Sequence, residues 1–133
     1  MKKKLVAVYG SLRKGLHNHG VLGNSELLGT FKTEPLFSLY SLGSYPGLKP
    51  NGNTSIAMEV YSVDDNVASY IDRLEGYTKD RPATFYDKVE IETPWGNAGL
   101  YLYVPEVYEE NLVESGDWKE FRQSKVLESR WCY

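Results

Sequence analysis

Two short stretches carry residue types that could do chemistry together. One holds the carboxylate of Glu75, at the end of a helically spaced segment that reads Asp72-Arg73-Leu74-Glu75-Gly76-Tyr77. The other is Tyr9-Gly10-Ser11-Leu12, where the apolar run Val6-Ala7-Val8 breaks into a glycine-bearing loop. Gly10 permits unusual dihedrals and close approach, so this loop can turn its backbone N–H groups outward. Such donors bind a carboxylate or stabilise a developing oxyanion. Arg13 and Lys14, next in the chain, could add positive charge. At Glu75 the negative end of the helix dipole and apolar neighbours such as Leu74 and Tyr77 disfavour the ionised form, which moves the pKa toward working pH. An acid and a cradle of amides are the parts of an acyl-transfer site that needs neither metal nor covalent nucleophile.

Taken singly, neither stretch compels that reading. A tight strand-to-loop turn with solvated cations accounts for Tyr9–Leu12, and a solvated residue in a last helical turn accounts for Glu75. What the two require is a fold that brings them together.

The elements that would position them are mostly strands. Lys4–Tyr9 is continuously apolar and is expected to be a central strand. Residues 15–23 hold three glycines and read as loop or short helix. Alternation predicts one or two strands over 27–42 and another over 55–63, separated by the turn Asn51-Gly52-Asn53. Val67, Tyr70, Ile71 and Leu74 recur at helical spacing over 64–75, with Asp64 and Asp65 at the dipole's positive end and Gly76 placed for a left-handed residue just past the helix. Residues 84–93 and 98–104, joined by Pro94-Trp95-Gly96-Asn97, read as a hairpin. Asp117 is the candidate cap of a short final helix from Trp118 to about Glu128, with Glu120 at the capping-box offset. The expected architecture is one α+β domain over 1–133: a small mixed β-barrel of about six strands, one central helix and a short C-terminal helix.

Composition removes several function classes. Net charge is −3 in 133 residues, and the only basic cluster is Lys2-Lys3-Lys4, so a nucleic-acid partner is not expected. No run approaches a membrane span, and the apolar stretch after the lysines is too short for a signal peptide; a cytoplasmic location is the expectation. The one cysteine, Cys132, allows no internal disulfide and has no marked partner base. His17 and His19 lack the third ligand of a metal motif, Ser11 lacks the glycine of a nucleophile elbow, and Gly10–Gly15 fits neither a dinucleotide fingerprint nor a P-loop. No metal and no cofactor are expected. The eleven tyrosines suit small β cores and pocket walls alike.

The motifs Tyr9-Gly10-Ser11-Leu12-Arg13-Lys14-Gly15, Tyr45-Pro46-Gly47, Ile71-Asp72-Arg73-Leu74-Glu75-Gly76-Tyr77, Phe85-Tyr86-Asp87-Lys88-Val89 and Ser115-Gly116-Asp117-Trp118 occur in an order and spacing that resemble the γ-glutamylcyclotransferase-like proteins, which include the γ-glutamylamine cyclotransferases and the AIG2-like proteins. The resemblance covers nearly the whole chain and implies a small mixed β-barrel with flanking helices. It also implies an intramolecular aminolysis, in which the free α-amine of a γ-glutamyl group attacks its own γ-amide carbonyl to give 5-oxoproline and a released amine or amino acid. The family's glutamyl-holding loop matches Tyr9, Gly10, Ser11 and Leu12, and its general acid/base matches Glu75. Tyr101 and Tyr103 lie on the strand that often carries a pocket aromatic, with Tyr103 preferred. One departure is Lys88, where the family often has Arg; the two are not equivalent at a bidentate site. The partner implied is a small γ-glutamyl compound. The alternative is a non-catalytic module that binds an anion or peptide end in the same pocket. The leaving amine and the oligomeric state have no readable motif.

Overall fold

The computed structural model describes residues 3–16, 18–77 and 85–131. In chain order its regular elements are β1 (Lys4–Val8), β2 (Glu26–Lys32), β3 (Phe37–Ser41), β4 (Pro46–Pro50), β5 (Ala57–Val63), α1 (Asp65–Leu74), β6 (Tyr86–Thr93), β7 (Gly96–Tyr103) and α2 (Trp118–Trp131), with 3-10 turns at His19–Leu22 and Glu109–Asn111. Five strands form one sheet in the order β2-β5-β1-β7-β6, while β3 and β4 pair as a separate ribbon. All pairings are antiparallel except β1 with β7, which run parallel through Val6 opposite Gly99.

The central position of β1 explains why its sequence lacks alternation: both of its faces are covered. Ala7 and Tyr9 pack with Leu39 and Leu48 of the ribbon, Met58, Leu100 and Trp118. Val6 and Val8 pack on the opposite face with Leu22, Tyr61, Ala68 and Ile71. The sheet therefore separates two cores, one under the ribbon and the start of α2, the other under α1 and the first 3-10 turn.

The barrel expectation is corrected. The five-stranded sheet is open, with β2 and β6 at its edges. At one end side chains bridge the gap between the edges without a hydrogen-bonded ladder: the Trp95 indole of the β6–β7 turn lies over Gly29 of β2, where a Cβ would come 2.4 Å from its ring, and meets Phe31 edge-on at 6.4 Å. The remaining two strands leave the sheet as the β3–β4 ribbon. Strand β4 has no counterpart in the sequence reading, because prolines at both of its ends masked it. Pro46 stands at the first position of the strand, where its missing N–H is tolerated, and Gly47 leaves room for the Tyr103 ring, which a Cβ would approach to 2.8 Å.

Helix α1 begins and ends where its sequence indicates. The Asp64 carboxylate accepts from the Val67 N–H at 2.9 Å, and Gly76 follows at φ 71°. Its apolar face is narrower than the periodicity predicts. Ile71 and Ala68 are buried, yet Tyr70 and Leu74 are 53% and 43% exposed. Helix α2 starts as expected, with the Glu120 N–H donating to Asp117 Oδ1 at 3.2 Å, and runs past Glu128 to Trp131.

A buried ion cluster ties the end of β1 to β5 and α2. The Glu59 carboxylate accepts from Arg13 Nε at 3.0 Å, the Lys14 N–H at 2.8 Å and the Tyr61 hydroxyl at 2.8 Å, and Lys119 Nζ lies 3.2 Å away. Arg13 also reaches Asp117 at 3.0 Å. Burial raises the Glu59 pKa, but these donors outweigh it and hold the carboxyl below its ordinary value of 4.5. Removing one partner of such a cluster strands the other charges. Arg13→Ala is expected to lower the free energy of unfolding by about 3 kcal/mol at pH 7. Because the folded-state pKa of Glu59 is depressed, the stabilisation is present above pH 4.5 and disappears as pH falls through the folded value, so the difference between variant and wild type should shrink in acid. Urea unfolding at pH 7 and pH 3 checks both points; a loss under about 1 kcal/mol at pH 7 contradicts the first.

Candidate active site

Glu75 is the residue at which α1 stops. The Gly76 N–H donates to the Arg73 carbonyl at 3.1 Å and the Tyr77 N–H to the Asp72 carbonyl at 2.8 Å. With Gly76 left-handed, these two bonds form a Schellman closure. The same turn is fastened from the side. Asp72 Oδ1 accepts from Lys88 Nζ of β6 at 3.0 Å and from the Tyr101 hydroxyl of β7, and the Lys88 ammonium lies 5.6 Å from the centre of the Tyr101 ring. Lys88 thus holds the helix end and does not line the cleft described next.

Glu75 lines a cleft of about 400 Å³ between the end of α1, the exit of β1, the start of the ribbon and the β6–β7 hairpin. Tyr9, Gly10, Ser11, Leu12, Tyr101 and Tyr103 line it too, so the structure brings together every residue singled out for the site. The carboxyl is half-buried, and burial pushes its pKa up from 4.5 to about 7. Among the described residues no donor hydrogen-bonds the carboxylate, so the raised value follows from desolvation. Burial also raises the phenols of Tyr9, Tyr86 and Tyr101, and the nearby Glu75 charge adds to each shift. They remain neutral at pH 7, which leaves Glu75 as the group whose proton is exchangeable near neutrality.

The β1 exit loop is built to stay open. The Arg13 N–H closes onto the Gly10 carbonyl at 2.9 Å, and Asn18 clamps the loop twice: its N–H donates to the Ser11 carbonyl and its Nδ2 to Ser11 Oγ, both at 2.9 Å. Among the described residues the N–H groups of Gly10, Ser11 and Leu12 make no bond to protein. Gly10 is required for close approach and has no positive φ: a Cβ there would lie 2.7 Å from Pro46 Cδ and Cγ.

Two expectations change. Arg13 adds no charge to the cleft, because its guanidinium is held by Glu59 and Asp117. Lys14 gives its backbone N–H to Glu59 and is likewise absent from the lining. The Tyr9 hydroxyl donates to the Tyr101 carbonyl at 2.6 Å, so Tyr9 serves as wall and backbone. His19 Nδ1 lies 3.0 Å from the Leu12 carbonyl; His17 and Cys132 lie outside the described residues.

Other lining residues had no role in the sequence reading. Tyr45 and Phe85 stand at the mouth with Arg73, and Tyr86 donates to the Pro46 carbonyl at 3.0 Å while meeting the Tyr103 ring at 5.4 Å. Tyr45, Pro46, Phe85 and Tyr86 all fall within the motif segments, which was the available signal. Asn18 carried none.

Residues 6–120 match the model of the family described as γ-glutamyl cyclotransferase, AIG2-like. A Vibrio cholerae protein provisionally named a γ-glutamylcyclotransferase is 46% identical over 114 residues, covering 86% of this chain and 94% of that protein. The γ-L-glutamyl-butirosin B γ-glutamyl cyclotransferase of Niallia circulans is 32% identical over 120 residues, 86% of this chain and 75% of that enzyme. Among solved structures, an uncharacterized protein from Pyrococcus horikoshii superimposes with a TM-score of 0.78 at 30% identity, covering 93% of this chain and 97% of that one. A family match across the sheet, α1 and the whole lining of the cleft, with near full-length relatives beside it, shows that this chain belongs to the γ-glutamyl cyclotransferase, AIG2-like family.

Proposed function

We propose that the chain cyclises a γ-glutamyl group to 5-oxoproline with release of an amine or amino acid, Glu75 acting as general acid/base. The observation that carries this reading is a carboxyl with a pKa of about 7 facing a loop whose backbone donors are unpaired among the described residues. The α-ammonium of the substrate gives a proton to the Glu75 carboxylate. The freed amine attacks the γ-carbonyl carbon, and the C–N bond of the ring forms while the carbonyl oxygen takes negative charge. The N–H groups of Gly10, Ser11 and Leu12 are the donors suited to hold either that oxygen or the substrate α-carboxylate. The tetrahedral centre then collapses: the bond to the leaving nitrogen breaks and the proton on Glu75 passes to that nitrogen. The regenerated carboxylate takes the second proton from the ring nitrogen, which leaves a neutral lactam, and releases it to the departing amine or to water, so Glu75 ends the turnover ionised as it began.

A base near pH 7 suits both halves of this exchange, because a carboxyl at its ordinary pKa would be too weak to deprotonate an ammonium. Ring closure is intramolecular, so holding the substrate folded back on itself supplies much of the acceleration. Tyr103 and Tyr86 form the wall facing the loop and restrict that conformer. No step draws on a metal or cofactor.

Incubation with a panel of γ-glutamyl amines and γ-glutamyl dipeptides is expected to yield 5-oxoproline; no product from folded protein across the panel rejects the enzyme reading and favours a binding module. Glu75→Gln is expected to lower kcat by at least about 100-fold with substrate affinity retained. In the wild type kcat/KM should rise with pH through a limb centred near 7, where Glu75 loses its proton.

The raised pKa also sets a stability signature. The folded-state value lies above the unfolded value, so the neutral carboxyl's contribution is fully present below pH 4.5 and is lost as pH rises through about 7. The shift corresponds to at most about 3 kcal/mol. Glu75→Gln should therefore be more stable than wild type at pH 8, by up to that amount, and equal to it at pH 4. Denaturant titrations at the two pH values decide this, and a variant less stable at pH 8 contradicts it.

A further inference from the structure

The cleft is built in two halves of different character. Its floor is sealed: Val8, Tyr9, Leu12, Tyr86 and Tyr101 are each under 10% exposed. Its lip is open and apolar. Phe85 is 57% exposed, Tyr45 48% and Leu74 43%, and the three come from separate elements: the start of the hairpin, the ribbon turn and the last residue of α1. Leu74 belongs to the helical stripe that carries Ile71 into the core, yet it faces the cleft instead. Large apolar side chains brought to one mouth by three elements mark a contact surface for a ligand. The charge pattern narrows the ligand. Among the described lining residues Glu75 is the only acid and Arg73 the only cation. Among the described residues a leaving group bearing an ammonium meets no acid other than Glu75 itself, and the Arg73 guanidinium lies over the Tyr70 ring, 5.6 Å from its centre.

We infer that the leaving-group half of the cleft selects γ-glutamyl amides of aromatic amines and aromatic amino acids and discriminates against polycationic amines. The inference rests on the cyclotransferase reading for the orientation of the substrate, with the glutamyl half inward against the β1 loop. The aromatic side chain packs between Phe85, Tyr45 and Leu74. This departs from the γ-L-glutamyl-butirosin B named for the Niallia circulans relative.

The test is a matched series: γ-glutamyl-phenylalanine, γ-glutamyl-phenethylamine, γ-glutamyl-glycine and γ-glutamyl-putrescine. The kcat/KM for the phenylalanine compound should exceed that for the glycine compound at least ten-fold, and the phenethylamine compound should exceed the putrescine compound by as much. Phe85→Ala and Tyr45→Ala should each reduce the phenylalanine-to-glycine ratio at least five-fold, mainly through KM. Calorimetric binding of the same four compounds to Glu75→Gln gives the ranking without turnover. If no compound yields 5-oxoproline but binding follows the predicted order, the cyclotransferase reading fails and the lip assignment stands. Equal or better use of the putrescine compound, or ratios unmoved by Phe85→Ala and Tyr45→Ala, overturns the inference.

Discussion

The last turn of α1 is the point on which the site depends. It is closed along the chain by the bonds from Gly76 and Tyr77 back to Arg73 and Asp72, and fastened across the sheet by the Asp72 carboxylate on Lys88 and Tyr101. Asp72 lies one turn before Glu75, so the anchor fixes both the position and the direction of the acid. Two influences act on that acid with the same sign. A helix C-terminus disfavours a carboxylate by about 0.3–1 kcal/mol, whereas the shift from 4.5 to about 7 corresponds to about 3 kcal/mol. Burial is therefore the dominant cause, and the enclosure of the cleft matters more than the helix that carries the residue.

A second glutamate, fully buried, behaves in the opposite way, and the contrast separates structure from chemistry. Glu59 is met by the donors of Arg13, Lys14, Tyr61 and Lys119 and titrates low. Glu75 has no such donors among the described residues and titrates high. Environments that push two acids apart suit one to stability and make the other the candidate for the proposed proton transfer. The two jobs meet at the β1 exit loop: Arg13 ties the loop's end to Glu59, and Gly10, Ser11 and Leu12 just before it line the cleft.

Much of this was legible in the sequence where one local rule decided the outcome. The unbroken apolar run of β1, the caps of α1 and α2 and the hairpin around Pro94-Trp95 all fell where patterning placed them. The open sheet was not legible, because whether two edges meet in a hydrogen-bonded ladder or across a Trp95–Gly29 contact depends on curvature that accumulates over five strands. The ribbon strand β4 was hidden by its prolines, which read as turn residues and act as strand ends. In the site, Glu75 and the Tyr9–Leu12 loop could be named because unusual chemistry sits on short motifs. The destinations of side chains were harder: Arg13 looked available, and it is held internally by Glu59, 46 residues away, and by Asp117. Asn18, which holds the loop open, is an ordinary polar residue whose role exists only once the loop is folded.

The central claim is that Glu75 is a desolvated proton carrier in an enclosed cleft. The direct measurement is the titration of its side-chain carboxyl carbon by NMR in protein labelled at glutamate, with Glu75→Gln used to assign the signal. The account predicts a midpoint near pH 7, well separated from the other glutamates. A midpoint near 4.5, the value of a solvated glutamate, would contradict it.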